Sequence, residues 1–248
     1  MNGLGAEKIV TIGDRTDPSG RSMDVANFIR KARRRALRET FGRWAMARKY
    51  KRVWIDVGAH EGETTFPLAA VDPSLLVYAF EPNLHAAARI MGRLRNYVVL
   101  PIAIAQSDGS AVLNLNAYEQ SSSLLRADEA GLKRWVSEVE FKVVDAVTVP
   151  TMRLDTFLDG AGLRSVDFLK VDAQGLDLEV VKSAGDRIRD IKKVQLEATT
   201  SSYRQYEGAP EKALIVEFME SKGFRLTEEE VQSHGQEANL TFLRAFSP

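Results

Sequence analysis

A glycine-bearing turn follows an apolar run in residues 53–62, Val-Trp-Ile-Asp-Val-Gly-Ala-His-Glu-Gly. Glycines in such a turn let the backbone approach a ligand, and the helix that begins after it offers unpaired N–H groups. Asp56, near the end of the run, is placed to accept a hydrogen bond from a cationic group such as an amino group. The turn residues expected to contact the ligand are Gly58, Ala59, His60 and Gly62. The alternative is a plain structural turn.

A second acid, Glu81, ends the next apolar run and is followed by Pro82 and Asn83. On a Rossmann-like sheet, an acid at this place reaches a ribose, because both hydroxyls of the sugar donate to one carboxylate. Pro82 stops the strand and sets up the following helix. The alternative for Glu81 is a charge that only stabilises a helix N-terminus.

The turn does not fit a nicotinamide dinucleotide. Such a site has glycine at the first, third and sixth loop positions, where this chain has Gly58, His60 and Glu63. A pyrophosphate needs close backbone approach at the helix mouth, whereas a nucleoside with an amino-acid tail tolerates bulkier residues there. The loop therefore favours a nucleoside that carries such a tail.

These residues need a sheet to position them, and the remaining pattern predicts one. Short β-rich runs alternate with helical patterns, which is typical of a doubly wound α/β fold whose parallel sheet has helices on both faces. The predicted strands cover residues 53–57, 76–80, 97–104, 166–171 and 194–196, and the helices cover 84–94 and 176–188. A closing strand is predicted at 240–246, for which an antiparallel direction is an option.

Residues 109–156 have a different pattern and interrupt the alternation of predicted strands and helices. Strands are expected at 112–115 and 141–149, with Ser121-Ser122-Ser123 between them. An insertion above the carboxyl ends of the sheet predicts a β-rich lid over a substrate. The segment 203–208 is expected to do the same, followed by a helix near 210–221.

The chain has 248 residues, of which 44% are hydrophobic and 27% charged, and it contains no cysteine. This length predicts one large domain at 51–248 behind an N-terminal extension at 1–50. The lack of cysteine excludes disulfides, cysteine-ligated metals and thiol nucleophiles. The apolar runs are only as long as strands, so we expect no membrane span, no export signal and a cytoplasmic location.

The formal net charge of zero hides a basic segment in the extension. Residues 30–52 hold eleven Lys or Arg against one acid, Glu39, which leaves 23 basic and 33 acidic residues elsewhere. Apolar residues at near-helical spacing predict an amphipathic helix there. Two readings stay open: a cap docked on the acidic body, or a surface that binds nucleic acid or an anionic membrane.

Five ordered segments make the chain resemble the FkbM-type S-adenosylmethionine-dependent methyltransferases. They are 56–62 (Asp-Val-Gly-Ala-His-Glu-Gly), 79–83 (Ala-Phe-Glu-Pro-Asn), 103–109 with Ala-Ile and Asp-Gly at its ends, 153–155 (Arg-Leu-Asp) and 167–175 (Asp-Phe-Leu-Lys-Val-Asp-Ala-Gln-Gly). The resemblance implies a seven-stranded class I methyltransferase sheet, S-adenosylmethionine as cofactor, and O-methylation of sugars or natural products. It also implies that Gly58 and Gly62 flank the methionine end, that Glu81 holds the ribose, and that Ala105 and Gln106 lie beside the adenine.

The chain departs from the family at three places. His60 stands where the family usually has Asn, and both residue types tolerate a left-handed backbone. Ala105 and Gln106 stand where Ser-Asp is usual, so an adenine amino group would meet an amide oxygen. Gln174 stands where Glu is usual, which removes a negative charge at the end of the fourth predicted strand.

The residues proposed as general base are, in order of preference, Asp172, His60 and Glu197. Asp172 and Glu197 end the fourth and fifth predicted strands, and ligands bind outside the carboxyl ends of central strands. A base there would take the proton of an acceptor hydroxyl as its oxygen attacks a methyl group. Asp172 is alternatively a carboxylate that orients the cofactor. Although Asp172, Glu197 and Gln174 offer oxygens of the kind that Mg²⁺ binds, their spacing is not diagnostic, and no metal site is predicted.

The sequence thus favours an O-methyltransferase with a small-molecule or glycosyl acceptor. The alternatives are a nucleic-acid or anionic-membrane binding module that uses residues 30–52 on a Rossmann-like scaffold, and a nucleotide-dependent oxidoreductase. Nucleic acid is not expected as a partner in the favoured reading, and no feature of the sequence sets the oligomeric state.

Overall fold

The computed structural model describes residues 49–134 and 141–245. The described residues form ten strands: β1 Arg52–Val57, β2 Leu75–Phe80, β3 Tyr97–Leu100, β4 Ala103–Ile104, β5 Gly109–Asn116, β6 Val143–Met152, β7 Phe168–Val171, β8 Lys193–Thr199, β9 Phe224–Gln232 and β10 Glu237–Arg244. The α-helices are α1 Phe66–Val71, α2 Leu84–Ile90, α3 Glu129–Leu132, α4 Leu154–Gly160, α5 Asp177–Lys182 and α6 Lys212–Ser221. The predicted extension at 1–50, with its basic helix, lies almost wholly outside the described residues.

Seven strands form the main sheet in the order β3-β2-β1-β7-β8-β10-β9. The first five of these strands are parallel, and β10 runs antiparallel to both β8 and β9. Parallel neighbours need a crossover connection, and the chain supplies helices for it. The predicted doubly wound, mostly parallel seven-stranded sheet is therefore confirmed, and the closing strand is antiparallel.

Strand β2 shows why helices cover both faces of the sheet. All six of its residues are buried. Because side chains alternate across a strand, Leu76, Tyr78 and Phe80 join the core shared with α4 and α5. The other three residues of the strand join a second core with α1 and α2. A continuous apolar run is typical of a strand that is buried on both faces.

The insertion forms the second sheet, with strand order β4-β6-β5. The predicted strand at 97–104 is divided between the two sheets, since β3 stays in the main sheet and β4 pairs with β6. Pro101 lies between them, and proline cannot donate a ladder hydrogen bond. The predicted β-rich lid is thus present, and its sheet is joined to the main sheet through this division.

Two helix ends and one strand differ most from the sequence prediction. Helix α2 ends at Ile90, before Gly92, and α5 gives way to a 3₁₀ turn that begins at Gly185; both glycines have positive φ. Strand β9 was not predicted, because its middle residues 228–230 are three exposed glutamates on the edge of the sheet. Within the described residues, no helix is both long enough and apolar enough to cross a membrane.

Candidate active site

A cavity of about 600 Å³ lies at the carboxyl ends of β1, β2, β7 and β8. This volume falls within the range that is usual for small-molecule sites, roughly 300–1,000 Å³. The insertion covers it with residues 118–124 and Phe141. Of the residues predicted for the site, the structure places these on the cavity wall: Gly58, Ala59, His60, Glu81, Pro82, Asp172 and Glu197.

Gly58 joins the turns that follow β1 and β7. Its φ is 72°, in the left-handed region, and its N–H donates to the carbonyl of Phe80 at 2.9 Å. A Cβ atom on this residue would lie 1.8 Å from the backbone oxygen of Asp172. Only glycine lets the two turns come this close.

We expect Gly58→Ala to lower the free energy of unfolding by at least about 2 kcal/mol, since a left-handed alanine alone costs roughly 1–2 kcal/mol. The contact with the Asp172 backbone adds to that cost. Urea unfolding measures the effect. Gly208→Ala is the matched control, because Gly208 has a φ of 75° but no atom within 4 Å of an added Cβ. Equal losses in the two variants would contradict the close-approach argument.

Glu81 is buried, with 7% of its surface exposed, yet it lines the cavity. One carboxylate oxygen accepts from the backbone N–H of His60 and the other from that of Asn83, both at 2.7 Å. Burial raises the pKa of Glu81, which the two backbone donors partly offset. Each carboxylate oxygen has two lone pairs, so both retain capacity for a ligand hydroxyl.

His60 has a φ of 45°, and its ring lies between two carboxylates at the cavity mouth. Nδ1 is 2.6 Å from Glu63 Oε1, and Nε2 is 3.4 Å from Glu119 Oε2. Burial alone lowers the pKa of His60, but Glu63, Glu119 and Glu81 together raise it above the usual value. Because both ring nitrogens already have carboxylate partners, the geometry favours His60 as a link between the turn and the lid.

Asp56 is not brought to the cavity. It is buried below the turn, accepts from the Thr65 hydroxyl at 2.5 Å and lies 3.3 Å from Lys170 Nζ. Lys170 does line the cavity, and its Nζ is also 3.5 Å from Asp172 Oδ2. The expected contact between Asp56 and a ligand amino group therefore has no support in this geometry, since Lys170 already pairs with the carboxylate.

Three more of the predicted contact residues do not line the cavity. Gly62 packs against Phe66 and Tyr97, as the short distances from an added Cβ show. The N–H of Ala105 donates to the Met152 carbonyl, and the carbonyl of Gln106 accepts from Arg153 at 2.6 Å. The wall at this side of the cavity is formed instead by residues 102–104, Ile-Ala-Ile, which precede them.

Asp172 and Glu197 come together at the cavity floor, as expected for the ends of neighbouring parallel strands. Gln174 Nε2 donates to Asp172 Oδ1 at 2.7 Å and to Glu197 Oε2 at 3.2 Å. The Asp172 side chain is 35% exposed. Burial raises the pKa of Glu197 well above its usual value, and nearby carboxylates add to the effect. The Asp172 side chain therefore has direct access to the cavity.

Asp177 is buried beneath this floor, and burial raises its pKa to about 8, with a further contribution from Asp172. The folded state therefore binds a proton more tightly than the unfolded chain, whose value is 3.8. This contribution to stability is complete below pH 4 and is lost as the pH rises through about 8, at up to about 1.4 kcal/mol per pH unit.

We expect Asp177→Asn to flatten the fall in stability between pH 5 and pH 8, measured by urea unfolding at several pH values. An asparagine oxygen can still accept from the backbone N–H groups of Ala173 and Glu197, as Oδ1 does now. Asp186→Asn, at an exposed position, serves as the control and leaves the slope unchanged. An unchanged slope in Asp177→Asn would refute the assignment.

One group of ligating side chains in the described part of the chain is compact enough for a metal ion: His60, Glu61 and Glu119, whose ligand atoms lie within 4.8 Å of one another. Arg89 pairs with both acids of this group. A guanidinium thus already supplies the positive charge that a metal would bring. Asp172 and Glu197 do not form such a group.

Several residues of the site had not been singled out from sequence. The sequence does contain a signal for Lys170, because this residue stands two positions before Asp172 and lies on the same face of the strand. Glu63 and Glu119 had none, because their contact depends on how the lid folds over the turn. The same holds for Tyr206 and Glu237, which reach the floor from the C-terminal part of the chain.

Similar proteins were found by sequence and by structure. The family model described as the methyltransferase FkbM domain matches residues 56–226. The 2-O-methyltransferase NoeI of Sinorhizobium fredii (strain NBRC 101917 / NGR234) is 26% identical over 164 residues, which are 63% of this chain and 66% of that protein. The chain thus spans slightly less than two thirds of this curated relative.

The chain also matches two solved structures of methyltransferases at low sequence identity. Magnesium protoporphyrin IX methyltransferase from Synechocystis PCC 6803, with bound S-adenosylmethionine, is 11% identical with a TM-score of 0.44, over 91% of this chain and 86% of that one. Precorrin-6y C5,15-methyltransferase from Geobacter metallireducens GS-15 is 14% identical with a TM-score of 0.42, over 94% and 93%.

The family match covers the turn after β1, the acid after β2, the insertion and the cavity floor, and it extends over more than half of the chain. The resemblance inferred from the five motifs is confirmed. The chain belongs to the methyltransferase FkbM family.

Proposed function

We propose that the chain is an S-adenosylmethionine-dependent O-methyltransferase whose acceptor is a hydroxyl-bearing small molecule or glycoside. The observation that carries the proposal is Glu81, a buried carboxylate on the cavity wall beside a glycine turn at the end of a parallel strand. A carboxylate with spare lone pairs at this place suits the two hydroxyls of a ribose.

The cavity wall fits the three parts of the cofactor. Glu81 would hold the ribose, and the turn from Gly58 to His60 would receive the methionine end. The apolar residues 102–104 offer a surface for the adenine. A Cβ atom on Gly58 would overlap the backbone of Asp172, so the turns after β1 and β7 are closely packed at this end of the cavity. When bound, S-adenosylmethionine supplies an electrophilic methyl group.

Asp172 is the residue best placed to take the proton of the acceptor hydroxyl. It is partly exposed to the cavity, and Lys170 and Gln174 hold its two oxygens from the protein side. Glu197 is the second candidate, and burial and the neighbouring carboxylates raise its pKa well above the usual value. The lid residues around Ser122 and Phe141 would exclude water and align the acceptor.

The acceptor side of the cavity is rich in groups that bind hydroxyls. Its amide, hydroxyl and carboxylate residues are Ser122, Gln205, Gln232, Ser233 and Glu237. Sugars carry many hydroxyls and little charge, so this lining supports a glycosyl acceptor over an anionic one. The name of the related 2-O-methyltransferase supports oxygen as the methylated atom.

Incubation with methyl-labelled S-adenosylmethionine and a panel of hexosides, deoxyhexosides and aglycone alcohols tests the proposal. Mass spectrometry should show one labelled methyl group on a hydroxyl of at least one glycoside. The Asp172→Asn variant, incubated in parallel, reports background transfer. Labelling confined to amine or ring-nitrogen compounds in an extended panel would contradict O-methylation.

A further inference from the structure

The amide of Gln174 bridges the two carboxylates of the cavity floor. One nitrogen, Nε2, carries two hydrogens, and Asp172 and Glu197 each accept one. The residue has a φ of 50° in the turn after β7, so the backbone conformation aims the side chain at this position. A neutral group thus provides two donors between two acids.

Shape alone does not fix the orientation of this amide, because its oxygen and its NH₂ group have nearly the same shape. In the flipped orientation the oxygen would face two carboxylates and no donor. The single hydrogen of the Tyr206 hydroxyl is shared between two acceptors, Gln174 Oε1 at 2.6 Å and the Ser121 carbonyl at 2.8 Å. As the donor closer to Oε1, Tyr206 favours the orientation in which Nε2 faces the acids.

The ring of Tyr206 is held in place from several sides, and only 1% of the residue is exposed. A Cβ on Gly175 would lie 3.0 Å from Tyr206 Cβ and 3.1 Å from Cδ2, so the absence of a side chain there lets the ring pack on the turn. Phe141 contacts the ring edge-on, with centroids 5.7 Å apart. Tyr206 also pairs with Ala127 of the insertion.

We infer that Tyr206 is a positioning residue for methyl transfer, which acts through the Gln174 amide to hold Asp172 and Glu197 in a fixed, hydrogen-bonded arrangement. The inference rests on the proposed function, in which Asp172 accepts the hydroxyl proton. Tyr206 does not line the cavity, so it acts without touching the reacting atoms. Through its contacts with Ser121, Ala127 and Phe141, Tyr206 connects the cavity floor to the insertion.

The charges around Asp172 explain why the two N–H donors of Gln174 matter. The titratable groups that act on it are Lys170, Asp56, Asp177, Glu197, Glu237 and Tyr206. Lys170 is the one cation of this set, and the acids outnumber it. Donors that favour ionised carboxylates counteract this repulsion without adding charge. Their loss favours protonation of the acids and so moves the acid limb of the pH–rate profile to higher pH.

The first test is Tyr206→Phe, assayed with the glycoside identified by the labelling screen. We expect kcat to fall about three- to tenfold, as for the loss of one hydrogen bond, and the KM for S-adenosylmethionine to stay within about twofold. The acid limb of the kcat profile should move to higher pH by about half a unit or more. An unchanged kcat and an unchanged limb in a folded variant would overturn the inference.

A double-mutant cycle distinguishes this role from a general structural one. Gln174→Met removes the bridging donors and should move the acid limb at least as far as Tyr206→Phe. In the Gln174→Met background, Tyr206→Phe should change neither kcat nor the limb any further, because its route to the acids is gone. Additive effects would show that Tyr206 acts independently of Gln174. If Tyr206→Phe does not fold, an unshifted limb in Gln174→Met still overturns the inference.

A spectroscopic measurement separates this inference from the proposed function. The side-chain amide signals of Gln174 in a ¹H–¹⁵N spectrum are assigned by their loss in Gln174→Met. They should shift in Tyr206→Phe and remain in place in Tyr203→Phe, a control whose hydroxyl lies outside this network. An unshifted signal in Tyr206→Phe overturns the inference even in an active enzyme. Absence of methyl transfer by the wild-type protein defeats the proposed function and leaves this readout intact.

Discussion

Glu81→Ala is expected to raise the dissociation constant for S-adenosylhomocysteine at least about tenfold, measured by titration calorimetry. Two hydrogen bonds from ribose hydroxyls to a buried carboxylate are lost, and bonds to a charged group each contribute roughly 1.5–3 kcal/mol. The variant also leaves the N–H groups of His60 and Asn83 without their acceptor, so its melting temperature should fall as well.

Two further variants separate binding from folding at this position. Glu81→Gln keeps the shape of the side chain and one carbonyl oxygen, so its affinity should lie between those of the wild type and the alanine variant. Glu237→Gln makes the same substitution at another buried acid of the cavity, on the acceptor side, and should leave the affinity within about threefold. Unchanged affinity in a folded Glu81→Ala variant would remove the basis for the cofactor assignment.

The second large effect is expected for Asp172→Asn, which should lower kcat by about a hundred- to ten-thousand-fold, the range found when a general base is removed. An asparagine oxygen can still accept from Gln174, and the ion pair with Lys170 is lost with the charge. Affinity for S-adenosylhomocysteine should change by less than about threefold, because the lost function concerns the acceptor proton. Radiolabel transfer to the identified acceptor measures the rate.

Asp167→Asn is the matched control, since Asp167 precedes the same strand, β7, at its opposite end. It accepts from the Val53 N–H at 2.8 Å, which an asparagine oxygen can also do. This variant should keep its activity. If Asp172→Asn is as active as the control and Glu197→Gln is inactive, then the base is Glu197, and the order of preference drawn from the sequence is wrong.

The sheet could be predicted because its strands are buried on both faces and separated by helical patterns, as β2 shows. The positions of Glu81 and Asp172 followed from one rule, that parallel strands end on the same edge. The same rule did not predict that Asp56 lies outside the cavity wall. Whether an acid at a strand end faces a ligand or a neighbouring strand depends on its partner, and Lys170 stands opposite Asp56 in the register of β1 and β7.

The adenine side and the lid contacts were harder to predict for a different physical reason. Residues 105 and 106 leave the cavity because the chain crosses to the second sheet at β4, a turn that depends on pairing with β6, whose paired residues lie 48 positions later. Tyr206 reaches Gln174 across 32 residues, and no periodicity encodes that contact. The sequence indicated a loop at 203–208 over the site but carried no chemical signal for its role.

The most direct test is a crystal structure of the wild-type protein with S-adenosylhomocysteine. We expect ribose hydroxyl oxygens within about 3 Å of the Glu81 carboxylate, the adenine against residues 102–104, and the sulfur directed toward Asp172. A ligand bound elsewhere, or bound in the cavity with its ribose away from Glu81, would contradict this expectation.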